Sequence, residues 1–300
     1  MSDVSLTGAQ RSSLFSLNRT NDVQNRTQEN LATGRRVNDV NDNALAFFLA
    51  QQLNSTANDL VQRQSDIDQA ISAVRTSTVA TDAIEDFTQQ LRGLAESARS
   101  ASPQEQQAIT NQFQEIGNQI RQIAQDASFN GVNLLNSNNS QLQVQFSERE
   151  DSTLTIQGND LTPTDGATDN SLFAVDAFAA DGSFDLAAFG VPGGTFVGIE
   201  NDPNALQSII RSLDQGVERV RARAQELGSN IAILETRASA VEDRANELQA
   251  GADALTLADL TEEAARSVAA ETSQQLGIQS LAISGGQQRA IVGLINGSAA

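Results

Sequence analysis

From Leu213 to Leu248, apolar or small side chains recur at Leu213, Val217, Val220, Ala224, Leu227, Ile231, Leu234, Ala238, Val241, Ala245 and Leu248, in alternating steps of four and three residues. A period of 3.5 sustained over five heptads keeps one seam of a helix turned toward partner helices. A lone helix cannot cover such a seam. Matching seams lie far upstream, at Ile67, Ile71, Val74, Thr78, Thr81, Ile84, Leu91 and Leu94, and again at Ile109, Phe113, Ile116, Ile120, Ile123 and Ala127. The pattern predicts a mainly α fold: an elongated, antiparallel, coiled-coil-like helical rod built from both chain ends, with the middle as an insertion.

Proline marks the breaks, because it lacks an amide donor and clashes with the preceding turn. Pro103 separates the first two seams, with Ser102 as the expected N-cap, Pro103 at the first helical position and Glu105 at the third. Phe129-Asn130-Gly131 carries a turn signal. Beyond it, Gln141–Phe146 and Ser152–Gln157 alternate polar and apolar residues around the polar stretch 147–151, which predicts a β-hairpin with Leu142, Val144, Phe146, Leu154 and Ile156 on one face. An unstructured polar loop is the alternative. From about 160 to 204 the composition turns to Gly, Asp, Ala and Thr around Phe173, Phe178, Phe184, Phe189 and Phe196. These phenylalanines predict a small irregular lobe whose core needs a neighbouring element. Both extremities carry only sparse apolar stripes, too little to offset ordering entropy in an isolated chain but enough in an assembly of copies.

Composition sharpens this picture. Only 4% of the 300 residues are aromatic, and His and Cys are absent, which removes the usual zinc and iron–sulfur ligands, thiol catalysis and Ser-His-Asp chemistry. No enzyme, cofactor or metal site is expected. The net charge of −19 disfavours nucleic acid and anionic membranes as partners. All basic residues are Arg, and the tightest group, Arg219, Arg221 and Arg223, is flanked by Glu218 and Glu226, so it is expected to be a solvated helix face. In 34–43, Asn38, Asp39, Asn41, Asp42 and Asn43 invite a calcium-loop reading. The segment lacks the Gly at the sixth position and the closing Glu, and a turn between helices fits better. No cleaved signal and no apolar stretch approaching 18 residues is evident.

Several short motifs, in order, carry a family likeness. Leu31-Ala32-Thr33-Gly34-Arg35-Arg36-Val37-Asn38, leading through Asp42-Asn43-Ala44, resembles the Leu-x-Thr-Gly-x-Arg-Ile-Asn motif of bacterial flagellins. Phe129-Asn130-Gly131-Val132-Asn133-Leu134-Leu135 resembles the flagellin element that precedes its hairpin, and Leu227-Gly228 and Ala258–Glu263 fall in family order. The likeness covers about 1–157 and 205–300. Two stretches depart from it. Ser284-Gly285-Gly286-Gln287-Gln288-Arg289 stands where the family is Ala-Gln-rich with a later Pro-Gln pair. Gln90 and Gly93 replace the Arg and Glu of the stretch that immune receptors recognise, so the resemblance carries no expectation of receptor activation.

The resemblance implies a structural subunit that polymerises into the extracellular flagellar filament. Its implied partners are further copies or related flagellins, an export chaperone and a filament cap, and its implied route is type III export without a cleaved signal. The expected division is an amino-terminal inner-core helix at 1–33 and a connector at 34–44. The outer rod follows at 45–158, then a variable surface lobe at 159–204, the returning rod helix at 205–250, and a connector with the carboxy-terminal inner-core helix at 251–300. Packing and assembly are expected to rest on Leu31, Arg35, Arg36, Asn38, Leu91, Leu94, Ile116, Ile120, Phe129, Asn130, Gly131, Leu227, Ile231, Leu234, Leu281, Ile291 and Leu294. A hook-filament junction protein is the nearest rival, and a secreted coiled-coil adhesin or binding module a more distant one.

Overall fold

A computed structural model describes residues 8–149, 151–163, 171–173 and 176–297. Helix α1 spans Gly8–Thr33, α2 Val40–Ala98 and α3 Pro103–Asp126. Two antiparallel pairs follow: β1 (Ser128–Phe129) with β2 (Val132–Asn133), and β3 (Gln141–Gln145) with β4 (Thr153–Gln157). Short 3-10 turns punctuate 186–201 before α4 (Pro203–Thr256) and α5 (Leu260–Gly297). The chain forms two compact units, Asn58–Ala245 and Met1–Ala57 with Asn246–Ala300.

In the central unit the α4 seam is covered. Leu213, Val217, Val220, Leu227, Leu234, Val241 and Ala245 are buried, while Ala224, Ile231 and Ala238 are half-buried. Its partner is α2, where Ile67, Ile71, Val74, Thr81, Ile84 and Leu91 are buried. Polar pairs flank the shared seam and fix its register. Gln64 donates to Glu242 at 3.1 Å, Arg75 meets Glu235 at 2.6 Å, Arg221 meets Glu85 at 2.7 Å and Arg92 meets Asp214 at 3.1 Å. The α2 number rises as the α4 number falls, so the helices run antiparallel. These exposed pairs set direction more than stability, since each contributes at most about 1 kcal/mol.

Helix α3 begins where Ser102 and Pro103 predict. The Glu105 amide donates to Ser102 Oγ, and the Ser102 amide donates to the Glu105 carboxylate at 2.8 Å, a reciprocal capping box. Its buried stripe differs from the expected one. Gln106, Thr110, Phe113, Gly117, Ile120 and Ala124 are buried, whereas Ile109, Ile116 and Ile123 are only half-buried. The stripe turns because α3 also serves the lobe. Gln106 donates to the Ala98 carbonyl and to Glu200 and accepts from the Gly198 amide, and Thr110 Oγ1 accepts from the Phe196 amide.

The lobe is a ring cluster built around a helix residue. Phe173, Phe178, Phe184, Phe189 and Phe196 are all buried, and Phe113 of α3 lies 5.2 Å from the Phe196 centroid and 5.7 Å from that of Phe184. Most ring pairs are edge-on or tilted, as the aromatic quadrupole favours. Gly117 gives the Phe184 ring its seat, because any Cβ there would overlap the ring. The hairpin pairs Leu142 with Ile156 and Val144 with Leu154, and buries Val144, Phe146 and Ile156.

In the other unit α1 and α5 pair. Asn30 donates to Glu263 at 3.2 Å and Gln274 to Asn21 at 2.8 Å, while Gly277 admits Leu17 closely, so these helices are also antiparallel. Among the described residues, the buried positions here are small or polar: Thr27, Asn30, Ala46, Ala50, Ala57, Ala252, Thr256, Glu263 and Ala270, with Val37 as the one larger apolar group. Many larger apolar side chains of α1 and α5 stay exposed.

Gly117→Ala should force Phe184 out of its seat and lower stability by about 1–3 kcal/mol, read as a reduced urea midpoint and faster proteolysis within 176–200. An unchanged midpoint would mean that the ring cluster does not depend on this close approach.

Candidate functional site

Three places gather the residues singled out in the sequence. The first is the connector. After α1 ends at Thr33, Gly34 takes a positive φ of 69° and turns the backbone. The Arg36 and Val37 amides then donate to the Thr256 carbonyl at 2.7 and 3.2 Å, the Ala258 amide donates to the Gly34 carbonyl at 3.0 Å, and Arg35 bridges Leu257. The link between α1 and α2 is thus stitched to the link between α4 and α5, more than two hundred residues away. Arg36 adds a bond from its guanidinium to the Leu255 carbonyl, Asn38 donates to the Arg35 carbonyl, Arg35 itself is exposed, and Leu31 is half-buried.

The acidic-amide run that follows is a double cap, not a cation loop. Asp42 accepts from the amides of Asn38 (2.9 Å) and Asp39 (3.2 Å), which hold its carboxyl below the ordinary carboxylate range, with a smaller contribution from the Arg26 charge. Asn43 is extended, with φ −162° and ψ 96°, and its Oδ1 accepts from the Ala46 amide, so the regular part of α2 starts there. Among the described residues no group of three or more His, Cys, Asp or Glu is placed to hold a metal.

The second place is the Phe129-Asn130-Gly131 turn. Asn130 (φ 50°) and Gly131 (φ 83°) are both left-handed, the pair of conformations that a type I′ hairpin demands. Phe129 is half-buried and Asn130 and Gly131 are exposed, beside a groove lined by Arg63, Asp66, Ala70, Leu142 and Val144. The turn delivers Asn133, which sequence reasoning passed over. Its Nδ2 donates to the Ala124 and Gln125 carbonyls at 2.8 and 3.0 Å, closing the end of α3, and its Oδ1 accepts from the Leu135 amide.

The third place corrects an expectation. Arg219, Arg221 and Arg223 do not form one solvated face. Arg221 does lie outside on Glu85, but Arg219 donates to the Ser171 carbonyl at 2.6 Å, and Arg223 is only 5% exposed. Arg223 donates to the Gln157 carbonyl at 2.6 Å and the Leu134 carbonyl at 3.3 Å, and pairs with Glu226 at 2.7 Å. It ties α4 to the exit of β4 and to the segment after Asn133. The available signal was angular: three residues after Val220, it lies within about 60° of the seam on a helical wheel.

The remaining predicted positions divide by burial. Leu91, Ile120, Leu227 and Leu234 are fully buried and Ile231 is half-buried. Leu94 and Ile116 are half-buried and share a shallow apolar groove with Gln90, Gly93, Gln112 and Glu115. Leu281 is half-buried, while Ile291 and Leu294 lie outside the described side chains. No helix among the described residues is long and apolar enough to cross a membrane.

Paired chain ends, a stitched double connector and a covered heptad seam define a helix-built structural protein. The family model for the bacterial flagellin N-terminal helical region matches residues 4–140. Flagellin FljO of Caulobacter vibrioides is 26% identical over 284 residues, covering 94% of both chains, and a flagellin of Brucella melitensis is 24% identical over 287 residues, covering 95% of both. The crystal structure of Bacillus cereus flagellin aligns with a TM-score of 0.45 at 18% identity, over 63% of this chain and 94% of that one. The chain is thus similar to bacterial flagellins along nearly its whole length, and to their N-terminal helical region over 4–140.

Arg223→Met should remove the buried guanidinium's bonds to the Gln157 and Leu134 carbonyls and cost about 1–3 kcal/mol, whereas Arg75→Ala at the exposed Glu235 pair should cost less than about 1 kcal/mol. Chemical denaturation of the two variants side by side tests the contrast, and equal costs would refute a structural role for Arg223. Acidification should act on the connector. Because Asp42 has a lowered folded-state pKa, its contribution is complete above the ordinary Asp value and is lost as pH falls through the lowered one. Amide protection at Asn38 and Asp39 should fall across that range in wild type and be low at all pH in Asp42→Ala.

Proposed function

We propose that this chain is the structural subunit of a bacterial flagellar filament, located outside the cell, and that it polymerises with copies of itself through α1, α5 and the connector. The observation that carries the reading is the contrast between its two units. The central unit buries its seams within one chain. The unit built from the chain ends buries Ala, Thr, Asn and Glu but leaves Leu14, Phe15, Val23, Val268, Leu276, Ile278 and Ile283 exposed. Exposed apolar stripes on two long paired helices need cover, and in a flagellin the cover is another subunit.

Contacts of this kind are heterologous, and where the rotation between copies does not close a ring they propagate as an open helix. The work of such a subunit is mechanical, which suits many modest packing contacts and asks for no catalytic group. Arg35, Arg36, Asn130 and Gly131, which are exposed, and the shallow Leu94–Ile116 groove are predicted positions available to neighbouring subunits. Leu91, Ile120, Leu227 and Leu234 instead stiffen the subunit from within. An export chaperone and a filament cap complete the proposed partners.

Electron microscopy of purified protein after adding short filament seeds, with circular dichroism in parallel, tests the reading. Long uniform filaments are expected, and persistent monomers would favour a junction protein or a binding module. Leu234→Asp should place an unpaired carboxylate at a fully buried position, costing several kcal/mol and preventing seeded growth. Normal filaments from that variant would show that the α4 seam is not needed in the subunit.

A further inference from the structure

Two features of the unit formed by the chain ends remain unused by the packing within it. The first is a knob at the start of α2. Leu45, Phe48 and Leu49 follow one another at helical spacing on a face turned about 120° from buried Ala46 and Ala50. Leu45 is 80% and Phe48 58% exposed, making this a concentrated apolar projection. The segment carrying it includes Asp39 and Asp42 and has no arginine between Arg36 and Arg63.

The second is a groove between α1 and α5. Its apolar lining is Phe15, Val23, Ala269 and Ala270, and its charged lining consists of Arg19 and Arg266. Phe15 is 69% and Val23 50% exposed. In a chain of net charge −19, a groove lined by two arginines and no carboxylate stands out, although Arg266 also pairs with Glu262 and Glu263 along its own helix. Val23 precedes the end of α1 by ten residues, about 15 Å of helix, and the connector follows before the knob. A chain does not fill its own groove.

We propose that the Leu45–Phe48–Leu49 knob of one copy seats in the Phe15–Val23–Ala269 groove of a second copy, with Asp39 and Asp42 approaching Arg19 and Arg266. The pairing rests on the filament reading and specifies one of its contacts. Apolar surface on both partners supplies the attraction, and opposite charge supplies the orientation and the approach. Knob and groove are different surfaces, so each copy offers one of each to different neighbours. That is the requirement for a contact that repeats along a polymer.

The absence of cysteine from the chain allows a clean test. Leu45→Cys and Ser16→Cys, the latter an exposed residue at the groove, would be made as separate proteins, mixed, grown from wild-type seeds and oxidised. A covalent dimer is expected from the mixture and from neither variant alone. Filaments that give no mixed dimer, or that crosslink equally when Leu45→Cys is alone, overturn the pairing. As a second measurement, Leu45→Ser with Phe48→Ser should raise the critical concentration for growth by about tenfold or more while leaving the melting of the unassembled chain unchanged. An unchanged critical concentration overturns the pairing as well. Failure of the unmodified chain to polymerise at all would instead sink the subunit reading, and this inference with it.

Discussion

No long helix of this chain can bury its apolar stripe alone, and every other feature answers that constraint. In the central unit the answer is internal. Helix α4 lays its heptad seam along α2, and α3 turns back beside them. The arginine pairs along the flanks choose direction and register; the buried Leu, Ile and Val side chains supply the stabilisation, at roughly 1.5–3 kcal/mol each. In the unit formed by the chain ends the answer is incomplete. Small and polar groups fill the narrow interface of α1 with α5, and the larger apolar groups look outward. One sequence thus contains a part whose apolar seam is covered within the chain and a part whose larger apolar groups stay exposed.

Charge follows the same division. Residues 58–245 hold 27 of the 38 carboxylates against 12 of the 19 arginines, while the two terminal segments hold 11 against 7. The unit with bare apolar helices therefore carries −4 against −15 for the central unit, and copies can approach through it at the lower electrostatic cost. The acidic central unit keeps separate chains apart and soluble, and its repulsion is screened at physiological salt within about 8 Å. The lack of lysine fits this economy, since arginine's fork can serve a carboxylate outside, as Arg221 does with Glu85, and backbone carbonyls inside, as Arg223 does.

What the sequence disclosed was whatever repeats or punctuates locally. The α4 seam has a period of 3.5 that no strand or loop imitates, Ser102-Pro103 announces a helix start through a known cap, and alternation from Gln141 and from Ser152 declares strands. What it withheld depends on partners distant in the chain. The α3 stripe rotates toward Gln106, Thr110 and Gly117 because residues 184–198 come back to meet it, and no local period encodes that return. Arg223 read as part of a solvated helix face and Asn133 was passed over, because their acceptors are carbonyls, which carry no side-chain signature. The connector was legible as a turn; its stitching to Thr256 and Ala258 was not, since backbone pairing leaves no trace in residue type.

That stitching explains why the two chain ends have to be treated as one element. The Gly34 turn and the amides of Arg36 and Val37 fix where α1 leaves the connector relative to where α5 begins, so the contacts Asn30–Glu263 and Asn21–Gln274 form in one register. A slip by one residue in either helix would rotate its exposed stripe by about 100°. Such a rotation would carry Phe15 and Val23, or Leu276 and Ile283, away from wherever a neighbour expects them. The backbone bonds at the connector are few, and each is worth only about 0.5–1.5 kcal/mol. Their larger effect is geometric: they set the phase of two long helices, and with it the direction in which their exposed apolar side chains face.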